Sequence, residues 1–345
     1  MNHSCINTKL SAMRSQMLKE KDFEYLMNAK DLTEIFDYLN THTYYETFFK
    51  DLDGSHLHRA ELEVPLLRER IYEIEKISHY LQGTEKQMVL QLLARHEVES
   101  LRLLIRGIAR DDDLLDIEKH LVYSEKYTKI PFEKLLKAGS WDDFKQLLKG
   151  TEYYRILEIY NTLSVEDDLF AVEKSIERHY YDEVNKTVEK LDHKKDSDLI
   201  EAIKKENDIL NLIWFYRGKK FYHLSREELL AYALQGGLKI KESNILKLSE
   251  IKSMDAFHEM MQHFSEYAFL FNHTKTLDLY MERRRERYFY YMYLEMYQKN
   301  KGLGKVVAFL RLTRFEIDDI KSIIESKRYR MTVEETKKYL IRSFD

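Results

Sequence analysis

The segment EVESLRLLI at residues 97–105 places apolar side chains three and then four positions apart, at Val98, Leu101 and Ile105. This spacing puts the three side chains on one face of an α-helix. A carboxylate is favourable at the positive end of a helix, so the preceding Glu97 predicts a helix start. The same pattern occurs twice more, as Asp208 with Ile209, Leu212 and Tyr216, and as Glu316 with Ile317, Ile320 and Ile324.

A second helical pattern also occurs three times, and each copy follows a residue suited to a helix N-cap. Asp31, Ser140 and Ser253 are those residues, because a short oxygen-bearing side chain satisfies backbone N–H groups at a helix start. The apolar positions that follow are Leu32, Ile35 and Leu39; Trp141, Phe144 and Leu148; and Met254, Phe257 and Met261. Successive copies of both patterns lie about 110 residues apart, close to one third of the chain. The sequence therefore predicts three similar helical modules, at residues 1–125, 126–236 and 237–345.

The composition favours helices throughout. Only 2 Pro and 10 Gly occur in 345 residues, while 44% of the residues are hydrophobic and 34% are charged, so helix breakers are scarce and amphipathic faces are easily built. Two further helix starts have the capping-box spacing, Ser225 with Glu228 and Thr332 with Glu335. Breaks between helices are expected at 129–131, 235–237 and 302–304, where Pro or Gly interrupts the pattern. The predicted fold class is all-α.

The charge balance argues against nucleic acid as a partner. The chain has 56 basic and 60 acidic residues and a formal net charge of −4, whereas binding to phosphate backbones requires a basic surface. The N-terminal segment lacks the apolar core of a secretory signal, and no run approaches the roughly 20 apolar residues that cross a bilayer. The single cysteine, Cys5, suits a reducing compartment. We expect a cytoplasmic protein whose contact with a membrane is made through a partner.

Candidate catalytic and metal-binding patterns lack residue types that they need. His96-Glu97 begins like a zinc-binding HExxH helix, but position 100 is Ser and the second histidine ligand is missing. His56 and His58 are two residues apart and would not face one metal from a helix. We predict no catalytic residue, no cofactor and no metal site. A helical hydrolase with a metal held by scattered histidines is the weakest alternative.

One segment has a composition typical of protein interfaces. Residues 280–293 read YMERRRERYFYYMY, in which arginines precede a dense aromatic band, and both residue types are enriched where proteins meet. We predict a partner interface at Arg283, Arg284, Arg287 and Tyr288. The alternative is an amphipathic helix whose charged face is only solvated.

Two stretches resemble a known family. DILNLIWFYRGKK at 208–220 and EIDDIKSIIESKR at 316–328 are similar to the signature of the C subunit, also called d, of V-type and archaeal-type rotary ATPases. SAMRSQML at 11–18 and the tyrosine pairs at 44–45 and 153–154 also look like that family, so the resemblance covers essentially the whole chain. Glu325, where the other copies have Arg, and Arg330-Met331 depart from the pattern.

The resemblance implies a non-catalytic rotor subunit. Members of the family are all-helical funnels or collars of three similar modules about a pseudo-threefold axis, and they join the membrane proteolipid ring to a central axle of D and F subunits. Such a protein would need no cofactor, would be monomeric within its complex and would transmit torque for ion transport. The alternative from the residues alone is a cytosolic helical-repeat scaffold that binds protein partners, although repeats of that kind are roughly 34 to 47 residues long.

Overall fold

A computed structural model describes residues 3–49, 52, 57–164, 168–271 and 277–344 of the chain. The secondary structure in these ranges is helical, without a β-strand, which confirms the prediction of an all-α fold. The α-helices are α1 His3–Gln16, α2 Glu20–Asn28, α3 Leu32–His42, α4 Glu46–Phe49, α5 Arg59–Ser78, α6 Gly83–Arg110, α7 Leu114–Ile117, α8 Phe132–Leu135, α9 Trp141–Leu147, α10 Glu152–Leu157, α11 Leu169–Val188, α12 Ser197–Lys220, α13 Arg226–Tyr232, α14 Glu242–Glu250, α15 Met254–Met261, α16 Leu277–Lys299, α17 Leu303–Arg328 and α18 Val333–Lys337. Two 3₁₀ segments span Glu118–His120 and Gln262–Leu270.

The predicted N-caps are confirmed. Before α3, α9 and α15, the side chain of the cap residue accepts the backbone N–H of the third residue beyond it, at 3.0, 3.1 and 3.2 Å. Each helix begins directly after its cap, at the first apolar residue of the pattern. The capping boxes at Ser225 and Thr332 also form, with hydrogen bonds in both directions. Helices are interrupted at the predicted breaks 129–131 and 235–237, and at the third only as far as Gly302, because α17 begins at Leu303. Local chemistry thus determines these boundaries.

The pattern of Val98, Leu101 and Ile105 and its two copies lie on the three longest helices of the described chain, α6, α12 and α17. All of its side chains are at most 1% exposed. These helices begin at least about three turns before the repeated acids. The prediction that Glu97, Asp208 and Glu316 mark helix starts is therefore wrong, because each acid lies inside a longer helix.

One compact unit comprises Met1–Arg70, Asp192–Ala231 and Gln235–Asp345. Within it, α17 packs against α1, α2, α3 and α16, and α12 packs against α14, α15, α16 and α17. An apolar cluster joins α2 and α3 to α17 through fully buried side chains that include Phe23, Ile35 and Ile320. Burial of each such side chain stabilises the fold by about 1.5–3 kcal/mol.

The other compact unit comprises Ile71–Leu191 and Tyr232–Leu234. In it α11 packs along α6, and α7 packs close to the end of α6. A Cβ at Gly107 would overlap the side chains of Ile117 and Leu114, so glycine permits this approach. The predicted modules at 1–125, 126–236 and 237–345 are defined by the repeated sequence pattern, whereas these two units are defined by compactness. The division into three modules stays a prediction.

The described helices also bear on membrane insertion. Among them, none combines the length and the apolar character that a membrane-spanning segment requires.

Candidate functional site

The repeated acid of α17 is a buried hydrogen-bonding centre. The Glu316 carboxylate is fully buried and accepts the backbone N–H of Leu18 at 2.9 Å, just before α2 begins. It also accepts the Tyr45 hydroxyl at 2.9 Å and the Arg342 guanidinium at 3.3 Å. Burial raises the pKa of Glu316, and the Arg342 charge and the hydrogen bonds oppose that rise. The carboxylate therefore holds the start of α2 against α17.

Asp208 has the same role on α12. Its carboxylate accepts the backbone N–H groups of Lys239 and Ile240 at 2.7 and 3.0 Å, directly before α14, and the Tyr267 hydroxyl at 2.8 Å. Burial raises the pKa of Asp208, against the opposing hydrogen bonds. A Cβ at Gly237 would overlap this carboxylate. The glycine break at 235–237 thus also lets the backbone come close to the acid.

In the remaining copy, on α6, a threonine mediates the contact. Thr128 hydrogen-bonds to Glu97, and Thr128 Oγ1 accepts the backbone N–H of Ile130 at 3.1 Å, shortly before α8. Burial raises the pKa of Glu97 to about 7, with Thr128 and Lys129 opposing. In all three copies, therefore, the acid lies at the positive end of a helix, but that helix is a different one from its own.

A lysine about three turns further along α12 and α17 binds the opposite end of the same short helix. Lys219 Nζ donates to the carbonyl of Ser249 at 2.8 Å, at the end of α14. Lys327 Nζ donates to the carbonyl of Met27, at the end of α2. An acid at the start of a helix and an ammonium at its end both favour the helix dipole.

We call each pair of side chains a clasp. Asp208 and Lys219 form the clasp on α14, and Glu316 and Lys327 form the clasp on α2. The corresponding position of α6 is Ile108, and α8 spans only four residues. No lysine of α6 therefore corresponds to Lys219 and Lys327, and the copy on α6 has only the acid of the clasp.

The three helices α6, α12 and α17 each also form an ion pair with another long helix. The pairs are Arg106 with Glu173 of α11, Arg217 with Glu282 of α16, and Glu325 with Arg59 of α5. The third pair has the opposite polarity from the first two. This exchange explains the departure at Glu325, because the change of sign on α17 is matched by a change of sign on α5.

Two of the four predicted interface residues bind the C-terminal segment. Arg283 donates to the carbonyls of Leu340 and Lys337, and Arg287 donates to the carbonyls of Ile341, Leu340 and Arg342. These carbonyls lie at the end of α18 and beyond it. The two guanidinium groups therefore hold the last residues of the chain against α16.

The other two predicted residues contact the segment before α16. Arg284 donates to the carbonyl of Leu270 at 3.1 Å, and the Tyr288 ring stacks on Phe269 with centroids 4.9 Å apart. All four predicted side chains are partly exposed. Their contribution to a partner interface stays a prediction.

Reasoning from the sequence missed the role of Asp319 and Arg342. Asp319 is buried, accepts the backbone N–H of Ile341 at 2.6 Å and lies 3.4 Å from the Arg342 guanidinium. The corresponding residue of α6, Ser100, exchanges two hydrogen bonds with the backbone of Val122. The small polar residue three positions after each repeated acid is the signal that could have identified this contact.

Metal-binding and thiol groups complete the description of the site. Within the ranges that the structure describes, no three His, Cys, Asp or Glu side chains are grouped to hold a metal ion. His56 lies outside those ranges, and Cys5 is exposed. The predicted lack of metal and cofactor sites stays a prediction.

Buried carboxylates and partly exposed lysines and arginines hold the ends of helices in this all-α protein, so its polar side chains maintain the fold. The chain matches the family model of the ATP synthase (C/AC39) subunit over residues 6–339 and belongs to that family. This is a family of non-catalytic subunits of rotary ATPases, which confirms the resemblance and the prediction that the chain is not an enzyme.

Relatives in archaea agree with this membership. The chain is 22% identical over 247 residues to the C subunit of the A-type ATP synthase of Methanosarcina mazei, covering 72% of this chain and 67% of the relative. It is 22% identical over 334 residues to the protein of the same name from Methanosphaera stadtmanae, with coverage of 93% and 83%. For the protein of that name from Methanocaldococcus jannaschii the identity is 19%, with coverage of 98% and 86%.

Proposed function

We propose that the chain is a rotor subunit that couples a central axle of D and F subunits to a membrane proteolipid ring. In this role it transmits torque between ATP turnover and ion transport. Membership of the ATP synthase (C/AC39) subunit family and relatives that are named as the C subunit of A-type ATP synthases support the proposal.

The order of the repeated contacts is the observation that carries it. The repeated acid of α6 serves the start of α8, that of α12 serves α14, and that of α17 serves α2. The ion pairs follow the same order, from α6 to α11, from α12 to α16 and from α17 to α5. Each copy thus contacts the next one, and the last contacts the first. This succession supports three modules, at 1–125, 126–236 and 237–345, arranged about a pseudo-threefold axis as a collar or funnel.

A collar that transmits torque must resist deformation. Close-packed interiors have low compressibility. Ion pairs between helices add to this, as the Glu286 carboxylate pairs with both Arg285 and Arg314 and joins α16 to α17. These arginines hold the pKa of Glu286 at about 2 in spite of its burial. Stiffness of this kind suits a coupling element.

The partners and the location follow from the same proposal. Arg283, Arg284, Arg287 and Tyr288 would face a partner subunit, and their contacts with backbone carbonyls and Phe269 would fix their orientation. The chain would be monomeric within the complex, on the cytoplasmic side, and would meet the membrane only through the ring.

Omission and add-back of the chain tests the proposal. In a reconstituted complex, we expect ATP hydrolysis to continue without the chain while ATP-driven ion uptake stops, because the axle no longer turns the ring. Uptake should return when the purified chain is added. Ion uptake that persists without the chain would contradict the coupling role.

The interface is tested separately in the same complex. A photo-reactive residue at position 288 should cross-link to another subunit. If positions 283, 287 and 288 each give no cross-link in an active complex, the interface proposal fails and the coupling proposal stands.

A further inference from the structure

Two lysines and a histidine lie where α5 ends and α6 begins. Lys86 is in the first turns of α6, and Lys126 is in the turn at 125–127. Lys126 Nζ lies 2.7 Å from Nε2 of His79, the residue that directly follows α5. Lys126 and His79 are exposed and Lys86 is partly exposed, so the group is open to solvent. We call these three residues the cation cluster.

Tyr127 defines where the two ammonium groups lie. Lys86 Nζ and Lys126 Nζ are 5.7 and 5.4 Å from the centre of the Tyr127 ring. The Tyr127 hydroxyl lies 3.2 Å from Oγ of Ser78, which is fully buried at the end of α5. Ser124 Oγ accepts the backbone N–H of Tyr127 at 3.2 Å. Tyr127 is thus held through both its hydroxyl and its backbone N–H, and the two ammonium groups lie against its ring.

Among the residues that the structure describes, neither Lys86 nor Lys126 forms an ion pair with a carboxylate. The Glu75 carboxylate accepts the Ser124 hydroxyl rather than an ammonium of the cluster. Both ammonium groups lie against the same ring, 5.7 and 5.4 Å from its centre, so an anion placed beside that ring would be attracted by both charges.

The imidazole of His79 adds a hydrogen-bond donor. An ammonium donates only, so the 2.7 Å contact with Lys126 requires His79 Nε2 to accept. The proton of the neutral ring then lies on Nδ1, which is free to donate to a ligand. The electrostatic effect of the cluster is already felt at Tyr127, since the Ser78 hydrogen bond and then the charges of Lys86 and Lys126 lower the pKa of that phenol.

We propose that the cation cluster binds a phosphate-bearing anion. A phosphate group has several acceptor oxygens in a tetrahedral arrangement and accepts charge-assisted hydrogen bonds from more than one ammonium. This site is independent of the coupling role, because it uses none of the residues of the clasps or of the proposed interface.

The surroundings allow two sources for the phosphate group. Tyr72 and Tyr80 are 52% and 38% exposed on α5 and the turn after it, and Lys76 lies 5.3 Å from the centre of the Tyr72 ring. Tyrosine and lysine together are favoured at the interface between lipid headgroups and water. The phosphate therefore belongs either to a dissolved phosphate compound or to an anionic lipid headgroup, and the second result would replace the proposal that the chain meets the membrane only through the ring.

Charge-removing variants of the full-length chain test the site. The probes are inorganic phosphate and pyrophosphate, followed by calorimetry, and phosphatidylcholine vesicles with or without phosphatidylglycerol, followed by co-sedimentation. We expect Lys86→Gln and Lys126→Gln each to weaken binding about fivefold. Lys126→Arg should keep most of the affinity because it keeps the charge. Lys137→Gln, which changes an exposed lysine of the same unit, is the matched control.

The outcomes separate the two sources. Binding of phosphate or pyrophosphate that the cluster variants weaken assigns a dissolved anion, whereas cluster-dependent binding only to phosphatidylglycerol vesicles assigns a lipid headgroup. Both results support the proposal. The proposal would be overturned if neither the dissolved anions nor the vesicles bind, or if Lys137→Gln loses as much binding as the cluster variants do. Circular dichroism of each variant shows that a loss of binding is not a loss of fold.

Discussion

At the scale of single residues, the repeated acid finds its hydrogen-bond donors in a different way in each of the three copies. Glu316 and Asp208 reach a backbone N–H directly, at 2.9 and 2.7 Å. The shorter Asp208 does so only because Gly237 lets the backbone approach. Glu97 instead acts through the hydroxyl of Thr128. Since a buried acceptor without a donor costs about 1–3 kcal/mol, each copy provides a donor suited to its acid.

The raised pKa of Glu97 predicts a dependence of stability on pH. Burial moves the pKa of this carboxyl from 4.5 to about 7 in the folded chain, so between these values the folded state binds more protons than the unfolded state. The free energy of unfolding contributed by Glu97 is therefore present below pH 4.5 and is lost as the pH rises to about 7. Glu97→Gln, which cannot ionise, should lose less stability over that interval in urea denaturation.

The exposed Glu125 provides the control for this pH dependence, as Glu125→Gln. Other buried groups with raised pKa values, such as Asp319 at about 7, contribute equally to all the proteins compared. Parallel pH profiles of the wild type and Glu97→Gln would show that ionisation of Glu97 does not limit stability.

At the scale of elements, local sequence signals predicted where helices begin. The contacts between helices depend on residues that are far apart along the chain. The caps at Asp31, Ser140 and Ser253 act within one turn, so the sequence around them was sufficient. The partners of Asp208 are 31 and 32 residues away along the chain, and no periodicity reveals them. A repeated acid was therefore recognised while the helix that it serves was not.

The candidate interface shows the same limit. The composition of 280–293 drew attention to four residues, and two of them, Arg283 and Arg287, bind carbonyls more than 50 residues further along the chain. The sequence of an amphipathic helix does not show whether its arginines bind a partner, face solvent or bind the C-terminal segment of the same chain. Only the fold distinguishes these contacts.

Removal of the Asp208 carboxylate should loosen α14. Asp208→Ala leaves the N–H groups of Lys239 and Ile240 and the Tyr267 hydroxyl without their acceptor. We expect a loss of about 3 kcal/mol in the free energy of unfolding. Faster amide hydrogen exchange across the first turn of α14 should accompany it. Glu259→Ala, at an exposed acid of the neighbouring α15, should change both by much less; equal effects would mean that the contact does not stabilise α14.

At the scale of the whole molecule, the repeated contacts make the copies depend on one another. The repeated acid on each long helix binds the start of a short helix in another copy, as Glu316 does by accepting the backbone N–H of Leu18 before α2. The reversed pair of Glu325 and Arg59 fits this dependence, because a change on one helix is matched on the other. Coupling through the molecule, if the proposed function holds, should then be sensitive to the contact between the last copy and the first.

Graded variants of that contact test the dependence in a reconstituted complex. Tyr45→Phe removes one hydroxyl that donates to Glu316 at 2.9 Å and should cost about 1 kcal/mol. Glu316→Ala also leaves the buried Arg342 with one carboxylate fewer and should cost about 3 kcal/mol or more. If the proposed coupling role holds, a looser contact yields under load, and we expect the number of ions moved per ATP hydrolysed to fall slightly in the first variant and strongly in the second. Tyr329→Phe, at a tyrosine that is 60% exposed, should leave the ratio unchanged. A full ratio in complexes that retain the Glu316→Ala chain would show that torque does not depend on this contact.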